Sequence, residues 1–274
     1  MADGFDFSEL ERMDVLPAGE GRLFLERDAL TARTPVLLFV HGAYHGAWCW
    51  SAWLRRCRNE GRAAAAIDVR GHGGLPVTSR LKEAGVRDYA ADVAAAMARF
   101  DTPPVLVGHS LGALVVALAA ATAPASGLVL LTPSPPGQLE GAKALPPVDE
   151  TALLPAFEED VVREMFLPNH VGQPIDAMLK RLSPESPVAM NDRYLLRVPV
   201  ERDAITCPAH CIEAGRDSPL THPPGQDEAV AHFYGASYAY LAEAAHCVMM
   251  DVDGGVDALR SIGTWYDEAV RPQG

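Results

Sequence analysis

The sequence predicts an α/β fold with a mostly parallel sheet and helices on both faces. Two observations carry this. Short apolar runs at 35–40 (PVLLFV), 63–69 (AAAAIDV), 104–107 (PVLV) and 127–131 (GLVLL) have strand length and little polar alternation, the pattern of strands buried on both sides. Longer helical patterns fall between them, so the chain repeats a β-α unit, and such units build a parallel sheet.

In chain order, residues 12–15 and 22–27 flank Ala18-Gly19-Glu20-Gly21 and read as a hairpin. Strand 35–40 is followed by a helix over 47–60 that Gly61 ends. Strand 63–69 runs into the turn Arg70-Gly71-His72-Gly73-Gly74. Residues 86–100 carry Tyr89, Val93, Ala96, Met97 and Phe100 on one helical stripe. Strand 104–107, helix 111–123 and strand 127–131 complete the first half. The alternation then stops. Residues 133–200 are rich in proline and acidic side chains, with helical pieces at 151–166 and 175–182. This segment reads as a helical cap inserted into a core formed by 1–132 and 201–274. Strands at 208–214 and 237–241, and helices at 224–234 and 255–270, return to the earlier pattern.

The 274 residues carry a net charge of −13, so there is no surplus of lysine and arginine to bind nucleic acid or an anionic membrane. The longest apolar stretch, 111–123, is too short to cross a bilayer. The stretch from Met1 to Leu10 is acidic and lacks the apolar centre of a secretion signal. The five cysteines (Cys49, Cys57, Cys207, Cys211, Cys247) are odd in number and form no CxxC pair, which fits reduced thiols in the cytoplasm. Cys207, His210 and Cys211 lie in a predicted strand with 207 and 210 on opposite faces, so no metal site is expected there.

Chemistry is expected at the carboxyl ends of the strands, where open α/β sheets bind ligands. Gly108-His109-Ser110-Leu111-Gly112 matches G-x-S-x-G between a buried strand and an apolar helix. The tight turn exposes the serine hydroxyl above the sheet, and the flanking glycines avoid collisions. A serine nucleophile needs a base, and the base an orienting carboxylate. Sheets with such an elbow carry them in the order Ser, acid, His. His246 follows the last predicted strand by a short loop and is the base candidate; His222 and His232 precede that strand and fit less well. Asp217 lies in the turn after strand 208–214, whereas Asp203 precedes the strand and Asp227 lies in the next helix. Two amides can receive the oxyanion: that of Leu111, after the serine, and that of Ala43, in the loop His41-Gly42-Ala43-Tyr44-His45-Gly46-Ala47-Trp48. His41 and His45 read as structural hydrogen-bonding residues.

These segments resemble the α/β-hydrolase superfamily, especially the group of plant methyl-ester esterases and hydroxynitrile lyases. The match lies in Leu37 to Trp50 (LLFVHGAYHGAWCW), Ile67 to Gly73 (IDVRGHG), Val107 to Gly112 (VGHSLG) and Ala245 to Met249 (AHCVM). The cap matches no known pattern. The resemblance implies an eight-stranded sheet, a triad of Ser110, Asp217 and His246, oxyanion donors at Ala43 and Leu111, and neither cofactor nor metal. It makes Gly42, Tyr44 and Trp48 pocket candidates, with plain packing an equal reading of Trp48. The expected activity is hydrolysis of a small, apolar carboxylic ester or lactone. A lyase, a carbon–carbon bond-cleaving enzyme and a catalytically weak ligand receptor remain alternatives. Lyases of the group carry threonine and lysine where this chain has Gly42 and Cys247. The open glycine and the neutral thiol favour acyl transfer.

Overall fold

The computed structural model describes residues 5–251 and 254–271. The first four residues of the acidic N-terminal stretch lie outside them. Eight strands form one sheet: β1 (Asp14–Ala18), β2 (Gly21–Leu25), β3 (Leu37–Val40), β4 (Ala64–Asp68), β5 (Val105–His109), β6 (Gly127–Leu131), β7 (Ala209–Ala214) and β8 (Ser237–Leu241). Their order is β1-β2-β4-β3-β5-β6-β7-β8. The hairpin β1–β2 is antiparallel and joins β4 antiparallel, and every pairing from β4 to β8 is parallel. The expected hairpin is present with tighter arms, closing on Gly19 and Glu20 with Gly19 at φ 60°.

Alternate side chains of the central strands feed two cores, as the period of two requires. Leu38, Val40, Leu106, Leu128 and Leu130 pack with α2 (Val86–Met97), α3 (Leu111–Thr122) and α7 (Gln226–Tyr234). Leu37, Phe39, Val105, Val107, Val129 and Leu131 pack with α1 (Ser51–Asn59) and α8 (Gly254–Ala269). This double burial explains why the sequence of these strands is continuously apolar. Strand β8 is the exception: it lies at the edge and exposes Tyr240. The helix expected over 47–60 opens as a 3₁₀ turn at Ala47–Trp50 before α1 begins.

Between β6 and β7 the chain passes through α4 (Glu159–Met165), α5 (Asp176–Leu179) and α6 (Pro187–Tyr194). The expected helix over 151–166 forms only in its second half. Residue 154 instead makes an antiparallel bridge, with Leu154 and Glu185 exchanging amide bonds of 3.0 and 2.9 Å. Pro155 follows directly and disfavours a helical conformation at Leu154. Helix α4 starts with Glu159 and Asp160 in its first turn, where the helix dipole favours acids. The sequence reading missed α6. Its signal is the cap Ser186, whose hydroxyl accepts from the Ala189 amide, followed by Pro187 in the first turn.

Close backbone approaches fix the carboxyl edge of the sheet. A Cβ at Gly112 meets the His41 carbonyl oxygen at 2.3 Å, and one at Gly108 meets the Gly112 carbonyl oxygen at 2.4 Å. Gly112→Ala is therefore expected to destabilise the fold by roughly 1–3 kcal/mol in urea unfolding, as overpacking does. Gly263→Ala in α8, where the nearest neighbour is the tip of Arg62 at 3.7 Å, is expected to be neutral or to stabilise by up to about 1 kcal/mol.

Candidate active site

Ser110 occupies the step from β5 to α3 at φ 54° and ψ −119°, a region that L-residues enter only under strain. The turn is held from both sides. The Ser110 amide donates to the Leu131 carbonyl at 2.9 Å, and its own carbonyl accepts from the amides of Ala113 at 3.0 Å and Ser134 at 3.1 Å. Tyr44 after β3 (φ 65°) and Thr132 after β6 (φ 41°) share the left-handed region, so strain concentrates at this edge of the sheet. Gly42 lies against the elbow: a Cβ there meets the His109 carbonyl oxygen and Nδ1 at 3.0 Å and the Ser110 Cβ at 3.1 Å. Among the described residues, the amides of Ala43 and Leu111 donate to no protein acceptor. Both residues border the cavity that Ser110 faces.

The loop after β8 carries His246 to the same cavity. Its Nδ1 donates to Asp217 Oδ2 at 2.6 Å, and Asp217 Oδ1 accepts from the Ser218 amide at 2.6 Å. His109, the residue before the serine, donates from Nε2 to the His246 carbonyl at 2.9 Å. The loop of His246 is thus tied to the elbow itself. Burial pushes the Asp217 carboxyl upward, but His246, His222 and the Ser218 amide outweigh it and hold the carboxyl below its ordinary range.

The other candidates either lie outside the cavity or are engaged with other partners. His222 lines the cavity, but its Nδ1 bonds Asp227 Oδ1 at 3.2 Å and stays 3.9 Å from Asp217 Oδ2. Burial opposes charge on His222, yet Asp217 and Asp227 together raise its pKa. Asp203 is 95% exposed beside Arg202, and His232 is exposed on α7. His41 donates from Nδ1 to the Gly42 carbonyl, and burial drives its pKa down to about 3. His45 bonds the Ala43 carbonyl and is likewise lowered by burial to about 4. Both are structural, neutral rings.

Asp217, His222 and His246 bring three ligand-type atoms within 4.8 Å of one another. The 2.6 Å contact between His246 and Asp217 is a hydrogen bond. Ligands about 2.0–2.2 Å from a tetrahedral zinc ion stand more than about 3 Å apart, so this arrangement does not fit one. The Cys207, His210 and Cys211 run is no better suited. His210 bonds Ser237 and Ser261 through its two ring nitrogens, and the Cys211 thiol bonds the Asp227 carbonyl.

A chain of aromatic rings lines the cavity that Ser110 borders. Tyr44 meets Phe157 at 4.5 Å, Phe157 meets Phe166 at 5.3 Å, and Phe166 meets His246 at 5.4 Å. Val162, Met165, Met178, Leu182 and Met190 of the segment between β6 and β7 complete an apolar wall. Trp48 does not border this cavity. It stacks on His45 at 5.3 Å and meets Phe7 edge-on at 5.0 Å.

No local pattern marks Glu185, which is fully buried and fastens the segment between β6 and β7 to the loop after β3. Its carboxylate accepts from the Tyr44 amide at 3.0 Å, His72 Nε2 at 3.1 Å, the Tyr89 hydroxyl at 2.6 Å and the Ser186 amide at 2.7 Å. His72 Nδ1 faces the Arg70 carbonyl at 2.9 Å, so both its ring nitrogens point at acceptors, as in an imidazolium. Burial works against both charges, but each partner overcomes it for the other: the His72 pKa is raised and the Glu185 pKa lowered.

The profile of the alpha/beta hydrolase family matches residues 37–258. The chain belongs to the alpha/beta hydrolase family. This alpha/beta hydrolase is 42% identical over 85 residues to the probable esterase PIR7A of Oryza sativa subsp. indica, covering 30% of this chain and 32% of the relative. It is 36% identical over 77 residues to methylesterase 18 of Arabidopsis thaliana, covering 27% and 29%. The matched stretch thus spans about a third of the length of these curated relatives. Among solved structures it resembles the methylesterase MES16 from Arabidopsis, with a TM-score of 0.68 and 21% identity over 86% of this chain and 100% of that one. It also resembles a thioesterase domain from the curacin biosynthetic pathway, with a TM-score of 0.67 and 16% identity over 92% and 98%. At these identities the likeness is one of fold.

The buried pair of this alpha/beta hydrolase has a pH signature. His72 is raised from 6.5, so its contribution is complete below 6.5 and is lost as pH rises through the higher folded value. Glu185 is lowered from 4.5, so its contribution is complete above 4.5 and is lost as pH falls through the lower folded value. Glu185→Gln strands a buried imidazole and is expected to cost roughly 3 kcal/mol. In denaturant titrations at several pH values, the gap to the wild type should be widest between 4.5 and 6.5 and narrow on either side.

Proposed function

We propose that the protein is a serine hydrolase that cleaves a carboxylic ester or lactone of a small molecule through an acyl-enzyme on Ser110. The observation that carries this reading is the 2.6 Å bond from His246 to Asp217, with His246 bordering the same cavity as Ser110. The esterase names of the partial relatives agree with it.

In this mechanism Ser110 Oγ attacks the substrate carbonyl carbon while His246 Nε2 takes the hydroxyl proton. Asp217 holds Nδ1–H and with it the tautomer that leaves Nε2 free to accept. The amides of Ala43 and Leu111 receive the negative charge that develops on the carbonyl oxygen. His246 then returns the proton to the leaving alcohol. Water, deprotonated by His246, attacks the acyl carbon, and Ser110 leaves with the proton, releasing the acid. No cofactor takes part.

Gly42 and Cys247 favour hydrolysis over cyanide release. Gly42 puts no side chain between the elbow and the loop amides. The Cys247 thiol is fully buried 3.6 Å from His45 Nε2, and burial pushes its pKa up, so it places no cation beside a departing anion. We further infer that the protein works in the cytoplasm, because none of its five cysteines is paired, and, from its net charge of −13, that neither nucleic acid nor an anionic membrane is its partner. No helix among the described residues is long and apolar enough to cross a membrane.

Steady-state kinetics on short p-nitrophenyl esters test the reading. Ser110→Ala should lower kcat by roughly 10⁴–10⁶ without loss of fold, and Asp217→Asn by about 10⁴ through the wrong tautomer. Asp203→Asn, on the surface, should leave kcat unchanged. More than about a tenth of the activity retained in Ser110→Ala excludes serine catalysis.

A further inference from the structure

We propose that Arg193 is an anion-recognition residue of the cavity, and that the substrate carries a carboxylate, or an equivalent anion, close to the scissile carbonyl. This rests on the ester-hydrolase reading for its reaction, but not for its binding.

Arg193 lies on α6 and borders the cavity together with Ser110 and His246. It is only 5% exposed. Its Nε donates to Ser134 Oγ at 3.1 Å, and one Nη donates to the Thr221 carbonyl at 2.8 Å. The other, Nη1, is buried with no partner. Ser134 is also the residue whose amide bonds the Ser110 carbonyl, so the guanidinium stands a single residue away from the elbow.

A buried guanidinium normally meets a carboxylate, because removing its charge from water costs several kcal/mol. Arg193 meets none: no acid of the described residues lies within ion-pair distance. Asp217 and Asp227 act on it only through space: Asp217 Oδ2 and Asp227 Oδ1 already serve His246 and His222, and Asp227 Oδ2, though buried without a partner, makes no ion pair with Arg193. The cavity wall contains this cation and no carboxylate. Its remaining lining is largely apolar, so an anion inside has little competing water, and a fixed guanidinium there suits the planar fork of a carboxylate. The structural alternative is that Arg193 merely ties Ser134 to Thr221. Two neutral acceptors satisfy that role, and it leaves Nη1 unused.

The test compares anionic with matched neutral esters. On the acyl side the pair is p-nitrophenyl hemiglutarate and p-nitrophenyl 5-methylhexanoate, in which an isopropyl group replaces the carboxylate. On the alcohol side it is 4-acetoxybenzoate and its methyl ester. The wild type is expected to prefer the anionic member of at least one pair. Arg193→Met should lower kcat/KM for that member by about 30-fold or more, while the neutral member changes less than about threefold. Arg193→Lys should recover part of the preference. Arg193→Gln, which can still donate to Ser134 or Thr221, should not. Equal loss on both members of each pair, or recovery by Arg193→Gln, overturns the proposal and leaves a structural arginine.

Calorimetric titration separates this from failure of the ester reading. N-methylglutaramate keeps the carboxylate and replaces the ester by an amide; N-methyl-5-methylhexanamide is its neutral counterpart. Selective binding of the former by the wild type and not by Arg193→Met supports the anion site even if no ester is turned over. No such selectivity, with esters turned over, removes the anion site and keeps the hydrolase.

Discussion

Ser110 holds its left-handed backbone because Gly42, Gly108 and Gly112 let the surrounding chain close to distances no side chain permits. A strained serine persists only where its neighbours over-determine it. Here the amide is taken by Leu131 of β6, and the carbonyl by Ala113 of α3 and Ser134 of the following loop. Each of these partners comes from a different segment, so the elbow depends on the sheet order as well as on its own glycines. The same order sets the neighbours of the serine. Strands β3, β5 and β6 are adjacent, and the loops that leave their carboxyl ends supply Ala43, Ser110 and Ser134.

Rigidity on the opposite side comes from a buried charge. Glu185, from the segment between β6 and β7, bonds the Tyr44 amide, one residue beyond Ala43, and it satisfies His72 and Tyr89 with the same two oxygens. A lone buried carboxylate is costly, and four donors with a cationic partner offset that cost. The loop that carries Ala43 is therefore held by the segment between β6 and β7, while the elbow is held by the core.

How far the sequence could be read follows from the range of the interactions involved. The continuous apolar runs of β3, β5 and β6 announced themselves because both faces are buried, and the elbow announced itself because its glycines are local necessities. Asp217 and His246 were legible from their positions after β7 and β8, and the structure joins them. The segment between β6 and β7 was not legible in detail. Its first expected helix is half replaced by the bridge at Leu154, because Pro155 and the exchange with Glu185 outweigh helical propensity. Glu185 and Arg193 left no periodic trace, since each is a single charged residue whose meaning comes from partners far along the chain. Trp48 sits on the correct loop but points to Phe7 and His45, which motif order cannot reveal.

The central claim is that Ser110 forms a covalent acyl intermediate. The most direct measurement is mass spectrometry of the protein quenched with acid during turnover of p-nitrophenyl acetate, followed by peptide mapping. The account predicts one acetyl group on the peptide containing Ser110, absent in Ser110→Ala and accumulating in a variant that lacks the His246 imidazole only if acylation can still occur slowly. Turnover with no acetyl on Ser110, or with the acetyl on another residue that chases to product at the catalytic rate, contradicts it.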